Sequence, residues 1–348
     1  MTFSKPLRMV AAAAILLVSH RPSHACTRIL WNDNSLAVVV GRTMDWPEST
    51  WPVLTVLPRG MERDGGTLLG QTVVADNPAR WTSRYGSLVT TTYGAGAADG
   101  VNEKGLAFHL LYLNATDYGP RDESKAGVHA GLWGQYLVDH AATVAEALEL
   151  LTSIQPVHVS VQGHAANLHL AIEDASGDSA IVEYIGGKLV IHHGRQYRIM
   201  TNDPRYEDQL AHLATFDFSN ATRQTPLPGN VDPRDRFVRS AYFLSMLPDP
   251  ATEREAIAGI LAIARNASVP FGAPNNLPGS LYNTEFRTAI NLTHPRYYFE
   301  LSTSPHLIWV DLARLNFAAG AEVMTLNPDN VNLAGDVSDR FQPAPAPF

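Results

Sequence analysis

Cys26 is the only cysteine among 348 residues, and it directly follows Ser23-His24-Ala25. Lys5 and Arg8 precede a short apolar run from Met9 to Val18. A basic start, an apolar run and small residues three and one positions before a cut form the pattern of a cleavable export signal. Cleavage after Ala25 makes Cys26 the first residue, with a thiol and a free α-amine on one residue. That pair is a nucleophile with its own base attached. An α-amine titrates at roughly 7.7–8.0, so its neutral form is available near neutral pH to take a proton.

Arg42-Thr43-Met44-Asp45-Trp46 is the next segment with chemical content. A guanidinium near a thiol favours thiolate, and a carboxylate near an α-ammonium holds and orients it. By itself Arg-x-x-Asp also reads as a surface ion pair at a strand end. Asn202, ahead of Asp203-Pro204, has the type and place to donate to a tetrahedral oxyanion, a contact worth about 10²–10³ in rate. On local sequence alone it reads more readily as an Asn in a turn before proline. Trp46 and Trp81 are candidate walls of an aromatic acyl pocket, with ordinary core packing as the alternative. The thirteen histidines form no His-Glu-x-x-His pattern and no close Cys/His set, so no zinc site is expected. Gly94–Gly100 lacks the Lys-Ser/Thr of a phosphate loop and reads as a turn.

A lipoprotein signal also ends just before a cysteine. In that reading Cys26 is a lipid attachment point on a non-enzymatic periplasmic protein. Ser23 at the third position before the cut, and Arg21-Pro22 between apolar run and cut, favour ordinary cleavage. The apolar run is too short for a bilayer, which needs roughly 20 residues. The mature chain is therefore expected in the periplasm or outside the cell, without an integral membrane segment. The formal charge is −8, and residues 1–25 hold three basic residues and no acid, so the remainder is more acidic still. No basic footprint for nucleic acid exists. One cysteine excludes internal disulfides. A chain that is 45% hydrophobic must instead rely on a large core. One domain is expected over 26–348, ending in an extended tail.

The elements that must position these residues follow from pattern. Thr27–Trp31 and Leu36–Arg42 read as a hairpin around Asn32-Asp33-Asn34, which puts Arg42 and Asp45 at a strand end near Cys26. Further strands are expected at 52–57, 85–93 and 105–113, the last opened by a turn at Asp99-Gly100-Val101-Asn102. Helices are expected at 132–142 and after the capping pair Thr143/Glu146, stopped by Pro156. A meander follows at 168–173, 180–184, 188–192 and 197–201. Asp232-Pro233 and Thr252/Glu255 start two more helices. Strands resume at 286–292, 296–301 and 307–312, and a Pro-, Asn- and Asp-rich tail from Leu326 is expected along the surface. Meanders with segregated helices indicate an α+β fold of antiparallel sheets, not a doubly wound one.

Taken together, Cys26…Arg42-x-x-Asp45 at a mature N-terminus resembles the choloylglycine hydrolase family, which contains bile salt hydrolases and penicillin V acylases. Asp99-Gly100-Val101-Asn102-Glu103-Lys104-Gly105-Leu106, Thr201-Asn202-Asp203-Pro204, and Leu227-Pro228-Gly229 with Arg236-Phe237-Val238-Arg239 resemble the family's further segments in order. The resemblance implies an N-terminal nucleophile hydrolase fold, a four-layer αββα sandwich of two antiparallel sheets flanked by helices. It implies Cys26 as nucleophile, Asp45 binding its amine, Arg42 beside the thiolate, and Arg236 completing the charged cluster. The Asn202 side chain and the Tyr112 backbone N–H would form the oxyanion hole. It implies no cofactor, a small-molecule amide substrate and a homotetramer. Tyr112 resembles the penicillin V acylase side of the family, where bile salt hydrolases carry Asn, and the Asp45-Trp46 pair resembles acylases exported by Gram-negative bacteria. An aryloxyacetyl or fatty acyl amide is the expected substrate, N-acyl homoserine lactones included. Conjugated bile acids are the alternative.

Overall fold

The computed structural model describes residues 25–274 and 281–348. The export signal expected at 1–25 thus lies outside the described residues, apart from Ala25. The chain enters as the strand Ala25–Trp31 and returns as Val39–Trp46. Asn34 closes this hairpin, its side-chain oxygen accepting from the N–H groups of Leu36 and Ala37. Val39–Trp46 is buried along its whole length because Leu281–Asn291 pairs on its other side. Arg296–Leu301, Ile308–Asp311 and short strands at Ile199–Met200, Ala273–Pro274 and Gly335–Asp336 complete the first sheet.

The second sheet runs in the order Lys188–His193, Ser179–Ile185, Leu168–Glu173, Ala107–Tyr112, Gly96–Asn102, Ser87–Thr92, Val53–Leu57, Met324–Leu326, Gln342–Pro343. Both sheets are antiparallel except for the Ile308–Asp311/Gly335–Asp336 pair. Strand alternation divides the second sheet's side chains. Ala107, Leu111, Ala171 and Ile181 join the core shared with the first sheet. Phe108, Leu170, Ile172 and Val182 pack with Trp133 and Leu137 of the helix Trp133–His140. The helices Pro233–Ser245 and Glu253–Ala267 cover the first sheet's other face. The result is helices, sheet, sheet, helices, the four layers expected.

The helix starts follow the capping chemistry read from sequence. Thr143, Asp232 and Thr252 each accept from a backbone N–H of the first turn. Three expectations change. The second strand begins at Val39 and extends to Trp46, so Arg42 and Asp45 lie inside it and are fully buried, not at a strand end. Asp99–Asn102 is strand, not turn. The turn falls at Glu103-Lys104-Gly105, where Asn102 accepts from the N–H groups of Lys104 and Leu106, and Gly105 takes a positive φ of 85°. The tail is not a surface strap. It adds strands to both sheets and buries Val337 and Phe341.

Charged side chains also cross between the sheets. Arg28 pairs with Glu173, whose carboxylate meets the Nε2 of His109 at 2.7 Å. The other ring nitrogen of His109 faces Asp99 at 3.5 Å. Tyr297 and Thr288 donate to Asp99 at 2.5 and 2.6 Å. Charges this deeply buried persist only when partnered on this scale.

Candidate active site

The N-terminal hairpin separates two kinds of function onto its two faces. Cys26, Arg28, Arg42 and Met44 follow the two-residue period and point between the sheets. The Cys26 thiol lies 3.9 Å from the Met44 sulfur, from the Asp45 carbonyl oxygen and from the Arg42 guanidinium. That guanidinium is tied to the second sheet, donating to the carbonyls of Ala98 (2.7 Å) and Leu110 (3.1 Å). Its orientation is therefore set by main chain.

Asp45 faces the helix layer. A β-bulge in the pairing with Leu281–Asn291, between Met44 and Asp45, sets Asp45 opposite Thr284. Bulges re-aim side chains in this way. The Asp45 carboxylate accepts from the hydroxyls of Thr284 and Thr43 and lies 3.7 Å from Arg236. Burial pushes it up to about 6, against the opposing pull of Arg236 and the two hydroxyls. In the ladder Asp45 is the partner of Ala25 and Met44 that of Cys26, so the Ala25–Cys26 bond runs alongside Asp45.

Arg236, on the helix Pro233–Ser245, donates to the Cys26 carbonyl at 2.7 Å, to Thr27 Oγ1, and to Asn202 Oδ1 at 3.1 Å. Asn202 Oδ1 also accepts from the Cys26 backbone N–H. Its Nδ2 donates to the Tyr112 carbonyl at 2.7 Å, and an amide nitrogen has a second hydrogen to offer. Burial raises the Cys26 thiol above its ordinary value. Arg42 pulls it toward thiolate, the direction expected of a guanidinium, but burial outweighs this pull, and the charge of Asp45 adds to the rise.

Six of the eight residues singled out from sequence thus converge: Cys26, Arg42, Asp45, Tyr112, Asn202 and Arg236. Trp46 joins them. It lines the cleft next to Cys26, its indole N–H donates to Tyr93 at 2.8 Å, and its ring meets Tyr112 edge-on. Trp81 does not. It sits in the core beneath the helix Trp133–His140, and its indole N–H donates to Asp139 at 2.8 Å. Its strand, Arg80–Thr82, pairs only with Glu62–Asp64, outside both main sheets. Sequence reasoning misses Thr43, Thr284 and Met44. Thr284 is 239 residues from Asp45 in sequence, and no local pattern marks it. Among the described residues no group of three or more His, Cys, Asp and Glu side chains is placed to hold a metal ion.

The cleft is narrow, with a cavity volume of about 110 Å³, below the several hundred Å³ usual for small-molecule sites. Cys26, Arg42 and Met44 lie at one part of it, with Trp46, Tyr93 and Tyr112 as aromatic walls. Residues 26–331 match the model of the linear amide C–N hydrolases, choloylglycine hydrolase family. The chain belongs to the choloylglycine hydrolase family. It is 35% identical to a penicillin V acylase of Pectobacterium atrosepticum, over 92% of this chain and 91% of that one. The structure of a penicillin V acylase from Agrobacterium tumefaciens superposes with a TM-score of 0.82 at 35% identity, covering 92% of this chain and 98% of that one. A conjugated bile acid hydrolase from Clostridium perfringens superposes at 0.74 with 21% identity, covering 89% and 98%, and supports the shared fold alone. The architecture is therefore that of the N-terminal nucleophile hydrolases, and the chain is a penicillin V acylase-like amidohydrolase of this family.

Proposed function

We propose that the protein is exported, loses residues 1–25, and hydrolyses the side-chain amide of penicillin V and related aryloxyacetyl or fatty acyl amides, N-acyl homoserine lactones among them. The observation that carries this is the cleft: a thiol beside aromatic and aliphatic walls, sized for one flat or narrow acyl group. The 35% identity to penicillin V acylases supports the same direction. No described helix is long and apolar enough to cross a membrane.

In this reading the freed Cys26 amine takes the thiol proton as sulfur attacks the amide carbonyl. The oxyanion is met by the second Nδ2 hydrogen of Asn202 and the Tyr112 backbone N–H. Preorganised donors of this kind are commonly the largest single term in acyl transfer. The C–N bond breaks as the amine leaves with the transferred proton. Water then attacks the Cys26 thioester and releases the acid. Arg236 holds Asn202 and the Cys26 carbonyl in register, and Asp45 keeps the α-nitrogen beside the thiol.

The test is turnover by purified protein beginning at Cys26, on penicillin V, acyl homoserine lactones and glycocholate. Cleavage of the first two supports the reading. Activity on glycocholate with none on the other two overturns it. Mass analysis of the exported N-terminus tests the maturation step: a free Cys26 amine is expected, and a diacylglyceryl thioether excludes it.

A further inference from the structure

One polar side chain in the cleft has no role in the chemistry above. His129 ends the strand Ala126–His129, lines the same cleft as Cys26, and is fully buried. Its backbone is fixed by parallel pairing with Ile154–Val157 and by donating to the Gly65 carbonyl at 2.8 Å. Neither ring nitrogen has a hydrogen-bond partner among the described residues. Around it the cleft is apolar, with Leu68, Ala95, Val159 and Ala166 forming a small cluster.

Four other polar side chains that line the cleft are engaged. Arg42 is bound to two carbonyls, Trp46 to Tyr93, Tyr93 to Glu48, and His164 lies 3.3 Å from Glu48. Burial, only partly offset by Asp64, pushes the His129 imidazole down to about 4. At neutral pH it is therefore uncharged, with one N–H to give and one nitrogen to receive. A buried polar group without a partner costs free energy unless a ligand satisfies it, and such groups mark functional positions.

We propose that His129 is the specificity contact of the acyl pocket, donating its ring N–H to an ether or keto oxygen within the acyl group. The inference rests on the acylase reading of the cleft. A pocket that offers one donor in an apolar wall discriminates against an isostere lacking the acceptor, because that isostere leaves the donor unpaired. His129 would thus favour an oxygen-bearing acyl chain over a plain hydrocarbon of equal length.

The experiment compares phenoxyacetate with 3-phenylpropionate, which differ by one oxygen in place of a methylene. Dissociation constants are measured by calorimetry on protein beginning at Cys26, on His129→Leu and on His129→Gln. A net hydrogen bond corresponds to about two- to tenfold in affinity. Phenoxyacetate is expected to bind that much more tightly to the parent protein. The ratio should fall to about one in His129→Leu and partly return in His129→Gln, which keeps a donor. A merely structural role would weaken both acids together and leave the ratio alone. Equal binding in the parent protein, no binding of either acid, or a preference that survives in both variants overturns the inference. His129→Gln decides the matter if His129→Leu does not fold. The substrate reading fails separately, by absence of penicillin V turnover, and the acid ratio is measured without turnover.

Discussion

Replacing Asp45 by asparagine, in a chain that keeps residues ahead of Cys26, should change how stability depends on pH. With the Ala25–Cys26 bond intact, the nearby nitrogen is an uncharged amide. Burial then lifts the Asp45 carboxyl from an ordinary 3.8 to about 6. A shift of roughly 2 units at 1.36 kcal/mol each corresponds to about 3 kcal/mol. Between those two values the folded chain holds a proton that the unfolded chain releases. The stabilisation from the raised carboxyl is therefore complete below about pH 4 and is lost as pH rises through about 6. The asparagine of the variant does not titrate. The stability of the parent minus that of Asp45→Asn should fall by about 3 kcal/mol from pH 4 to pH 7, whatever constant cost the amide incurs against Arg236 and the two threonines.

Freeing the N-terminus at Cys26 should shrink that fall. An α-ammonium beside the carboxylate favours its ionised form and lowers its pKa. Urea unfolding at half-unit pH steps, on the extended and the processed chains, reads both effects by linear extrapolation. A flat difference in the extended chain would refute the burial argument. An equally steep fall in both chains would refute the pairing of Asp45 with the Cys26 amine.

Three further outcomes test the other parts of the site. Asn202→Ala should lower kcat on penicillin V by about 10²–10³ and also lower Tm, since Arg236, the Cys26 N–H and the Tyr112 carbonyl each lose a buried partner. An unchanged kcat contradicts the oxyanion assignment. Cys26→Ser should fold with its parent Tm and lose nearly all turnover, and an extra residue ahead of Cys26 should do the same by converting the amine to an amide. Full activity in the extended chain removes the self-base mechanism. Trp81→Phe should cost stability, about 1.5–3 kcal/mol for a bond to a charged acceptor, without changing the ratio of kcat/KM between penicillin V and an acyl homoserine lactone, whereas Trp46→Ala should change that ratio. A ratio shifted by Trp81→Phe but not by Trp46→Ala would contradict the cleft assignment.

The legible parts of this molecule are those written in neighbouring residues. Caps at Thr143, Asp232 and Thr252, and the alternation of the central strands, are local and hold in the structure. The site residues are legible through ordered motifs, since Arg42, Asp45, Asn202 and Arg236 lie far apart in the chain and have no periodicity in common. What stays hidden depends on nonlocal pairing. The bulge that turns Asp45 toward Thr284 arises only when Leu281–Asn291 docks beside Val39–Trp46. The tail's strands exist because both sheets leave an edge for it. Trp81 and Trp46 look alike in sequence, and only where their strands dock separates a core indole from a cleft wall: Trp46 ends a strand of the first sheet, whereas Trp81 lies in a ribbon of Glu62–Asp64 and Arg80–Thr82 outside both main sheets. The glycines from Gly94 to Gly100 suggest a turn, which Gly94 alone takes with a φ of 61°, whereas Gly96 and Gly100 lie in a strand and serve close packing. A Cβ on Gly96 would collide with the Gly131 carbonyl oxygen.

The environment of the thiol also bears on the proposed maturation, in which cleavage precedes activity. Burial keeps Cys26 protonated above its ordinary range, so attack requires a base. The polar neighbours of its sulfur are the Met44 thioether, the Asp45 carbonyl and the Arg42 guanidinium. None accepts a proton near neutral pH: two are feeble bases, and a guanidinium stays protonated. His129 shares the cleft, but burial holds it down to about 4, which makes it a poor base. Asp45 projects to the opposite face of the strand, where Thr43, Thr284 and Arg236 hold it. The nitrogen of Cys26 belongs to both faces, since it is attached to the thiol's own residue and lies along the Asp45 side of the ladder. Bonded to Ala25 it is an amide and has no usable lone pair. Released, it is an amine within reach of its own thiol. The two-faced hairpin thus places the nucleophile and the amine-binding carboxylate on opposite sides and leaves the α-nitrogen to connect them, so in the proposed maturation one peptide-bond cleavage supplies the base that the folded site otherwise lacks.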